Sequence, residues 1–271
     1  MCKTGINTDR IIEKLDESMK CWTATMQHFC FSRVRKIKCH TILEFVLQLA
    51  ANATIGSTDI LLKMKKHGII KEHISKAAMS EARDKILVNM WEQILHDMSR
   101  SLQVEIKTRR VWAIDGSTIT LQNANFGGKF KKSCGSYLPH AYISMLYDID
   151  YGFVGDVVVS EKLDERSAAL QHMQYMQKGD VVVMDRGYYS KALFKAFDDA
   201  GIHVVFRAKR DTSKKEWSDA SNDIISSKEG VDCRFVKYTV ENVDYMMITN
   251  LLDTDTNPLA LVQQMYHKRW V

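Results

Sequence analysis

Two aspartates follow apolar runs of the kind that form buried β-strands. Asp115 comes directly after residues 111–114 (VWAI), and Asp185 comes directly after residues 181–184 (VVVM). If these strands are neighbours, both carboxylates emerge at one edge of a sheet, where open α/β sheets commonly bind ligands. Carboxylate oxygens are ligands that Mg²⁺ prefers, and the ion keeps waters that a substrate phosphate can displace. The pair predicts a site for two Mg²⁺ or Mn²⁺ ions, which together can promote an in-line displacement at phosphorus.

Each aspartate also has a simpler explanation. Asp115 is followed by Gly116, and Asp-Gly after a strand is a common turn. For either aspartate taken alone, a turn is the better interpretation. The two together are stronger evidence, because each follows an apolar strand in a chain whose basic residues suit a polyanion.

The segments around the aspartates predict an α/β sheet flanked by helices. Apolar and β-branched runs alternate with helical patterns from about residue 104 onward. The predicted strands are residues 111–114, 142–149, 153–159, 181–184 and 203–208, with helices that open at residues 164 and 190. Asp150-Tyr151-Gly152 predicts a hairpin turn between the second and third strands.

The last third of the chain predicts a β-rich insertion and a final helix. Residues 209–230 are polar and predict a loop, whereas residues 233–240 and 245–251 predict a β pair. We therefore expect an insertion of about residues 209–252 beside the main sheet. Asn257-Pro258 is a favourable helix start, and the helix that follows carries Tyr266 on an apolar face.

Residues 1–103 predict a separate helical domain. Apolar stripes with helical spacing run through residues 42–49 and 86–95, and a further helix should end at His67-Gly68. No acidic residue lies between Glu17 and Glu44. The basic residues of that window include Arg33, Arg35, Lys36 and Lys38, and a second basic group is Lys129, Lys131 and Lys132. A DNA-binding domain of helix-turn-helix character fits this pattern, and a helical domain with one solvated basic face fits it equally well.

Composition narrows the classes of protein that this chain can represent. It has 271 residues, 45% of them apolar, with a formal net charge of +5, a mild basic bias that permits a nucleic-acid partner. No apolar run reaches the roughly 18–20 residues of a membrane span, and no phosphate-binding loop predicts a nucleotide cofactor. The six cysteines form no C-x-x-C pair, which favours reduced thiols in the cytoplasm over disulfides. A zinc site among cysteines and histidines of residues 21–40 is the weaker alternative, because their spacing matches no familiar finger.

Three segments resemble the signature motifs of DDE transposases of the insertion-sequence-four group. They are residues 113–117 (AIDGS), 182–189 (VVMDRGYY) and 266–270 (YHKRW), and their order and separation also fit. Lesser matches lie at residues 146–148, 164–166 and 249–253. The likeness spans about residues 111–271, and several matching segments in sequence make it specific.

The resemblance implies a ribonuclease-H-like catalytic core over residues 104–271, with the β-rich insertion before the last helix. Asp115 and Asp185 would be the first two metal-binding carboxylates. Tyr266 and Arg269 match the third motif and would hold DNA near the cut, but its glutamate would lie two residues beyond the end of the chain. We expect the coding sequence downstream to encode that glutamate. Arg186 would be either a phosphate ligand or a partner for the nearby carboxylates.

The function implied by the resemblance is transposition of a prokaryotic insertion sequence. Hydrolysis of a phosphodiester at the element end frees a 3′-hydroxyl, which then attacks target DNA in strand transfer. The implied partners are double-stranded DNA, at element ends and target, and a second copy of the chain in a homodimer at the nucleoid. Two alternatives stay open. One is a non-catalytic, truncated copy that binds element ends and inhibits transposition, and the other is a ribonuclease-H-like nuclease of a different lineage, which leaves Tyr266 and Arg269 unexplained.

Overall fold

The structure is a computed structural model, and it describes ten parts of the chain. These are residues 13, 16–22, 37–51, 54–86, 88–105, 109–121, 130, 138–162, 164–228 and 230–269. The chain divides into two compact units, Met1–Val104 and Glu105–Val271. Each unit has its own hydrophobic core and is described by itself.

The first unit is helical. Its helices with described bounds are α1 (Cys39–Ala51), α2 (Ser57–Lys66), α3 (Lys76–Arg83) and α4 (Val88–Glu105), and residues 16–22 are also helical. The predicted apolar stripes are confirmed, since Ile42 and Leu43 of α1 pack in one core with Ile60 of α2 and Ile94 of α4. Helix α2 ends at the predicted place, because Gly68 adopts a φ of +74° that suits glycine. None of the helices in the described part of the chain combines the length and the apolar character needed to cross a bilayer.

In the described residues, the second unit is built on one mixed sheet of eight strands. The strands are β1 (Val111–Thr120), β2 (His140–Asp148), β3 (Phe153–Ser160), β4 (Val181–Met184), β5 (His203–Arg207), β6 (Asp223–Lys228), β7 (Val231–Val240) and β8 (Val243–Thr249). Their order is β3-β2-β1-β4-β5-β8-β7-β6. The strands β1, β4 and β5 run parallel, and the other pairings are antiparallel. The predicted ribonuclease-H-like α/β fold is confirmed.

Helices cover the two faces of the central strands. The longer ones are α5 (Glu165–His172), α6 (Lys191–Asp199) and α8 (Leu259–Lys268), and α7 (Lys214–Ser218) is a short turn of helix. On one face Trp112 and Val182 pack with Phe197 of α6. On the other face Val183 packs with Tyr266 of α8. Strand β4 is buried on both faces, and this explains why its sequence is a continuous apolar run, as expected of a central parallel strand.

Strand β1 is longer than predicted. The sequence places its end before Asp115, but the strand continues to Thr120. The reason is that β1 has two neighbours. Its parallel pairing with β4 ends at Ala113 opposite Val183, whereas its antiparallel pairing with β2 continues as far as Thr120. Asp115 therefore lies beyond the β4 ladder but inside the β2 ladder.

The polar segment after β5 was expected to be a loop, and this prediction is wrong. It contains a short 3₁₀ turn, helix α7 and the edge strand β6. A half-buried ion pair helps to hold the strand, because the Arg234 guanidinium of β7 donates to both carboxylate oxygens of Asp223 in β6, at 2.8 and 2.6 Å. Strands β6, β7 and β8 extend the main sheet through pairing of β8 with β5.

A buried polar network fixes the far end of α5 to the sheet. His172 closes α5, and its Nδ1 lies 2.6 Å from an Asp156 oxygen on β3, while its Nε2 lies 3.0 Å from the Ser144 hydroxyl on β2. All three side chains are buried. This serine, histidine and aspartate grouping was not predicted, and its burial makes it part of the core rather than a surface nucleophile.

A second buried network lies at the amino ends of β1 and β4. The Arg110 Nε donates to Asp148 at 2.7 Å, and its guanidinium carbon lies 3.9 Å from the Trp112 ring centre. The Trp112 indole donates to Asp180 at 2.8 Å. Burial raises the pKa of the Asp148 carboxyl, and the Arg110 guanidinium opposes that rise.

Candidate active site at the carboxyl edge of the sheet

The register of β1 and β4 brings the two predicted aspartates side by side. Ala113 pairs with Val183, so Asp115 and Asp185 each lie two residues beyond one paired position. Side chains two residues apart share a face of a strand, and neighbouring strands lie about 4.8 Å apart. Both carboxylates therefore project from the same face at the same edge of the sheet.

The two carboxylates have different surroundings. Asp115 is exposed, and one of its oxygens accepts a hydrogen bond from the Gly116 amide at 2.9 Å. Asp185 is half-buried, and its Oδ1 accepts a hydrogen bond from the Tyr266 hydroxyl at 3.2 Å. Neither aspartate is enclosed, so both can offer oxygen atoms to a bound ion.

Helix α8 supplies the tyrosine that contacts Asp185. The Tyr266 ring is fully buried in the core, so its hydroxyl is held in place by packing. Burial and the Asp185 carboxylate raise its pKa, which keeps the phenol protonated and able to donate. Arg269, three residues later, is half-buried, and its guanidinium carbon lies 5.4 Å from the Tyr266 ring centre. Tyr266 thus contacts the carboxylate, and Arg269 lies beside the Tyr266 ring.

An arginine that was not predicted completes the row of charges. Met184 pairs with Phe206 in the parallel β4–β5 ladder, so Arg207, the last residue of β5, is in register with Asp185. The Arg207 guanidinium carbon lies 4.4 Å from the Tyr245 ring centre. Three parallel strands therefore present an aspartate, an aspartate and an arginine in register. The sequence shows a charged residue at the end of an apolar strand. Assigning Arg207 to the site also required knowing that β5 lies beside β4.

Two further residues near the aspartates lie in segments that carry the resemblance, 164–166 and 182–189, but were not assigned to the site. Glu165, at the start of α5, lies with its Cγ against Gly116 and its carboxylate against Gly187. The buried Tyr188 has no hydrogen bond of good geometry from its hydroxyl within the described residues, although Ser144 lies close enough to influence it. Burial raises the Tyr188 pKa, and the Glu165 and Asp115 carboxylates raise it further. The phenol therefore stays neutral beside these acids.

The other predicted site residues divide into two groups. Arg186 is exposed next to Asp185, and Lys38 is exposed at the start of α1 in the helical unit. The rest lie outside the described residues. They are Arg33, Arg35, Lys36, Lys129, Lys131 and Lys132.

The donor set suits a hard divalent cation. Within the described residues, no group of three or more histidine, cysteine or acidic side chains is placed to hold a metal ion. Asp115 and Asp185 therefore stand as a pair. Mg²⁺ commonly takes one or two protein carboxylates and completes its coordination with waters and substrate phosphates. Two carboxylates next to two arginines fit such an ion together with a phosphodiester.

Comparison with known proteins identifies one family. A family model described as the transposase DDE domain matches residues 106–271. That match covers the whole sheet and every residue of the candidate site. A search of curated proteins finds no match.

Proposed function

The chain belongs to the transposase DDE domain family, and we propose that it catalyses transposition of an insertion sequence by cleaving and rejoining DNA. The observation that carries this proposal is the register of β1 and β4, which sets Asp115 and Asp185 at one sheet edge. Transposases of this family normally use divalent metal ions, and the two carboxylates are chemically suited to them.

In the proposed reaction each residue has a distinct task. Asp115 and Asp185 hold Mg²⁺ or Mn²⁺, and the hydroxyl of Tyr266 fixes the orientation of Asp185 through its hydrogen bond. When bound, the ions supply activation of the attacking oxygen and stabilisation of the leaving oxygen. Arg207 offers positive charge for the phosphodiester, because guanidinium groups bind phosphate oxygens through paired hydrogen bonds. Arg269 adds positive charge from its place beside the Tyr266 ring.

The finer assignment rests on the motif residues. We place the chain in the insertion-sequence-four group, because Tyr266 and Arg269 match its third motif, Tyr266 donates to Asp185, and Arg269 lies beside the Tyr266 ring. The proposed substrates are element-end and target DNA, bound by a homodimer at the bacterial nucleoid. The helical unit, with Lys38 at the start of α1, is proposed to contact the DNA backbone.

A nicking assay on supercoiled plasmid tests the catalytic proposal. With Mn²⁺ or Mg²⁺, the wild-type chain should nick the plasmid, and Asp115→Asn and Asp185→Asn should abolish nicking. Asp199→Asn is the matched control, because Asp199 is an exposed aspartate whose partner is Lys195 on the same helix. Nicking retained by Asp115→Asn would remove that carboxylate from the mechanism.

DNA binding separates the enzyme from its non-catalytic alternative. The affinity should fall steeply with salt, since each phosphate contact contributes a slope of about −0.9 in log affinity against log salt. Steep salt dependence without nicking would favour a chain that only binds element ends. A flat dependence, or no binding, would count against both functions.

A further inference from the structure

One arginine of α5 holds the loop that follows Asp185. The Arg166 guanidinium donates to three successive carbonyl oxygens of that loop, those of Gly187, Tyr188 and Tyr189, at 3.3, 3.2 and 3.1 Å. Carbonyls that point together at one guanidinium must belong to a defined loop conformation. The contacts therefore report on the shape of the loop as well as its position.

The residue before Arg166 makes the second part of the contact. The Glu165 carboxylate lies so close to Gly187 that a Cβ atom on Gly187 would sit 3.0 Å from its Oε2. A larger side chain would have to displace Glu165, so the glycine allows the loop to approach α5. The neighbouring Glu165 and Arg166 thus hold the loop by packing and by hydrogen bonds.

The loop needs such support because the sheet does not supply it. The last backbone pairing of β4 is Met184 with Phe206, so Asp185 lies beyond the ladder. Inside the loop, the Tyr188 amide donates to the Asp185 carbonyl at 3.1 Å and closes a turn. The loop then ends at Ser190, whose side chain caps α6. Between those two points, the hydrogen bonds from Arg166 connect the backbone of the loop to a residue outside it.

Helix α5 is itself fixed, so it can transmit that support. Its far end is held by His172, which joins Ser144 and Asp156 in the buried network described above. Its near end begins with Asp164, whose carboxylate accepts from the Ser167 amide at 3.0 Å. Helix α5 therefore contacts strands β2 and β3 through its last residue and the Asp185 loop through its first turn.

We propose that Arg166 is a positioning residue for the metal site, which holds the Asp185 loop in the shape that ion binding requires. This inference rests on the proposed function, because it assigns the loop a task in binding Mg²⁺ or Mn²⁺. Arg166 acts through the backbone of the loop. It is therefore distinct from the carboxylates that would contact the ion.

The test compares two substitutions of the arginine with a matched control. Arg166→Gln removes the charge and most donors, whereas Arg166→Lys keeps the charge but cannot span three carbonyls. Arg210→Gln is the control, because Arg210 is an exposed arginine of the same unit that pairs with Asp244 at 3.2 Å. Circular dichroism establishes that each variant is folded.

Two measurements are made on every variant. Hydrogen exchange of a peptide covering residues 183–190 reports on the loop, and both Arg166 variants should exchange faster there than wild type and Arg210→Gln. Titration with Mn²⁺ alone, followed by electron paramagnetic resonance, reports on the site. Both Arg166 variants should bind Mn²⁺ about 10-fold more weakly, at the lower end of the effect of partners that orient metal ligands, since Arg166 is solvent-exposed.

The outcomes distinguish the separate claims. Unchanged exchange in both Arg166 variants overturns the holding role of the arginine. Faster exchange with wild-type Mn²⁺ affinity overturns its role in positioning the site. A wild-type chain that binds no Mn²⁺, with exchange still sensitive to Arg166, overturns the proposed function and the positioning role with it, and leaves only a loop contact.

Discussion

The paired segments of β1 and β4 have charged residues on either side of them, and the residues on the two sides have different surroundings. At the amino ends, Arg110 and Asp180 are buried. Among the described residues, Asp180 accepts three hydrogen bonds, and Arg110 donates through its Nε to Asp148. At the carboxyl ends, Asp115 is exposed and Asp185 is half-buried, and among the described residues each accepts one protein hydrogen bond. Acidic residues next to the same strands thus lie in different environments, since Asp180 is buried whereas Asp115 and Asp185 are accessible.

The difference shows how to separate structural acids from acids available for chemistry. A buried carboxylate must have its oxygens satisfied by the protein, because an unpaired buried charge is very costly. Asp148 accepts from Arg110 and from the amides of Asp150 and Tyr151, so it has little capacity left for a ligand. Asp115 and Asp185 keep such capacity. Both ends have charged residues next to the strands. Only at the carboxyl end are two accessible carboxylates side by side.

Breaking the buried pair at the amino end should have the largest effect on stability. Arg110→Met leaves the Asp148 carboxylate buried without its guanidinium, and the free energy of unfolding should fall by about 3–5 kcal/mol. Urea unfolding followed by tryptophan fluorescence measures the change. Arg110→Met combined with Asp148→Asn should recover part of the loss, because the uncompensated charge is then absent. A loss below about 1 kcal/mol, the range of exposed pairs, would contradict the structural role.

A methyl group added at each end should sharpen the comparison. In Gly155→Ala, the new Cβ would lie 2.6 Å from the Trp112 ring, which its bond to Asp180 holds in place. We expect a loss of about 1–3 kcal/mol in unfolding free energy, as for other overpacked cores. Gly116→Ala at the carboxyl end is the control, since its nearest atom would be the Tyr188 hydroxyl at 3.6 Å, an ordinary contact. Equal losses for the two variants would contradict the difference in packing.

Neutralising the carboxylates at the carboxyl end should leave stability almost unchanged. Asp115→Asn and Asp185→Asn should each alter the unfolding free energy by no more than about 0.5 kcal/mol, as expected of accessible side chains. Asparagine can still accept the hydrogen bond from Tyr266. The same variants should lose Mn²⁺ binding, whereas Arg110→Met should retain it at temperatures where it is folded. Calorimetry of unfolding and of Mn²⁺ binding on one set of proteins checks both statements, and a large loss of stability in either variant would make these acids structural.

Much of the site could be predicted because its signals are local. Asp115 and Asp185 each follow an apolar run. If two such runs form neighbouring parallel strands, the residues that follow them lie at the same edge of the sheet. The helices also follow from local signals, such as the apolar spacing around Ile42 and the glycine stop at Gly68. The register of β1 with β4 then brings these two aspartates side by side.

The missed features depend on which elements become neighbours. Arg207 joins the site because β5 lies beside β4, and Arg166 because α5 packs against the loop after β4. The full length of β1 depends on pairing with β2. Residues 118–120 are β-branched and favour a strand, but the Asp-Gly that precedes them predicted a stop. The role of Asp223 in a strand was not evident from its polar segment, because its partner Arg234 comes from another strand. Long-range pairing decided each of these cases.

The smallest expected effect is a pH dependence at the amino end of β5. Burial and the nearby Arg109 lower the pKa of His203 below its ordinary value of 6.5. The folded chain therefore prefers the neutral imidazole, and below about pH 6.5 the unfolded chain binds more protons than the folded one. Stability from this histidine is present above that pH and declines as the pH falls toward the folded pKa. His203→Gln should flatten the dependence of unfolding free energy between pH 7 and pH 5, and a titration by nuclear magnetic resonance that places the His203 pKa above 6.5 would reverse the expected sign.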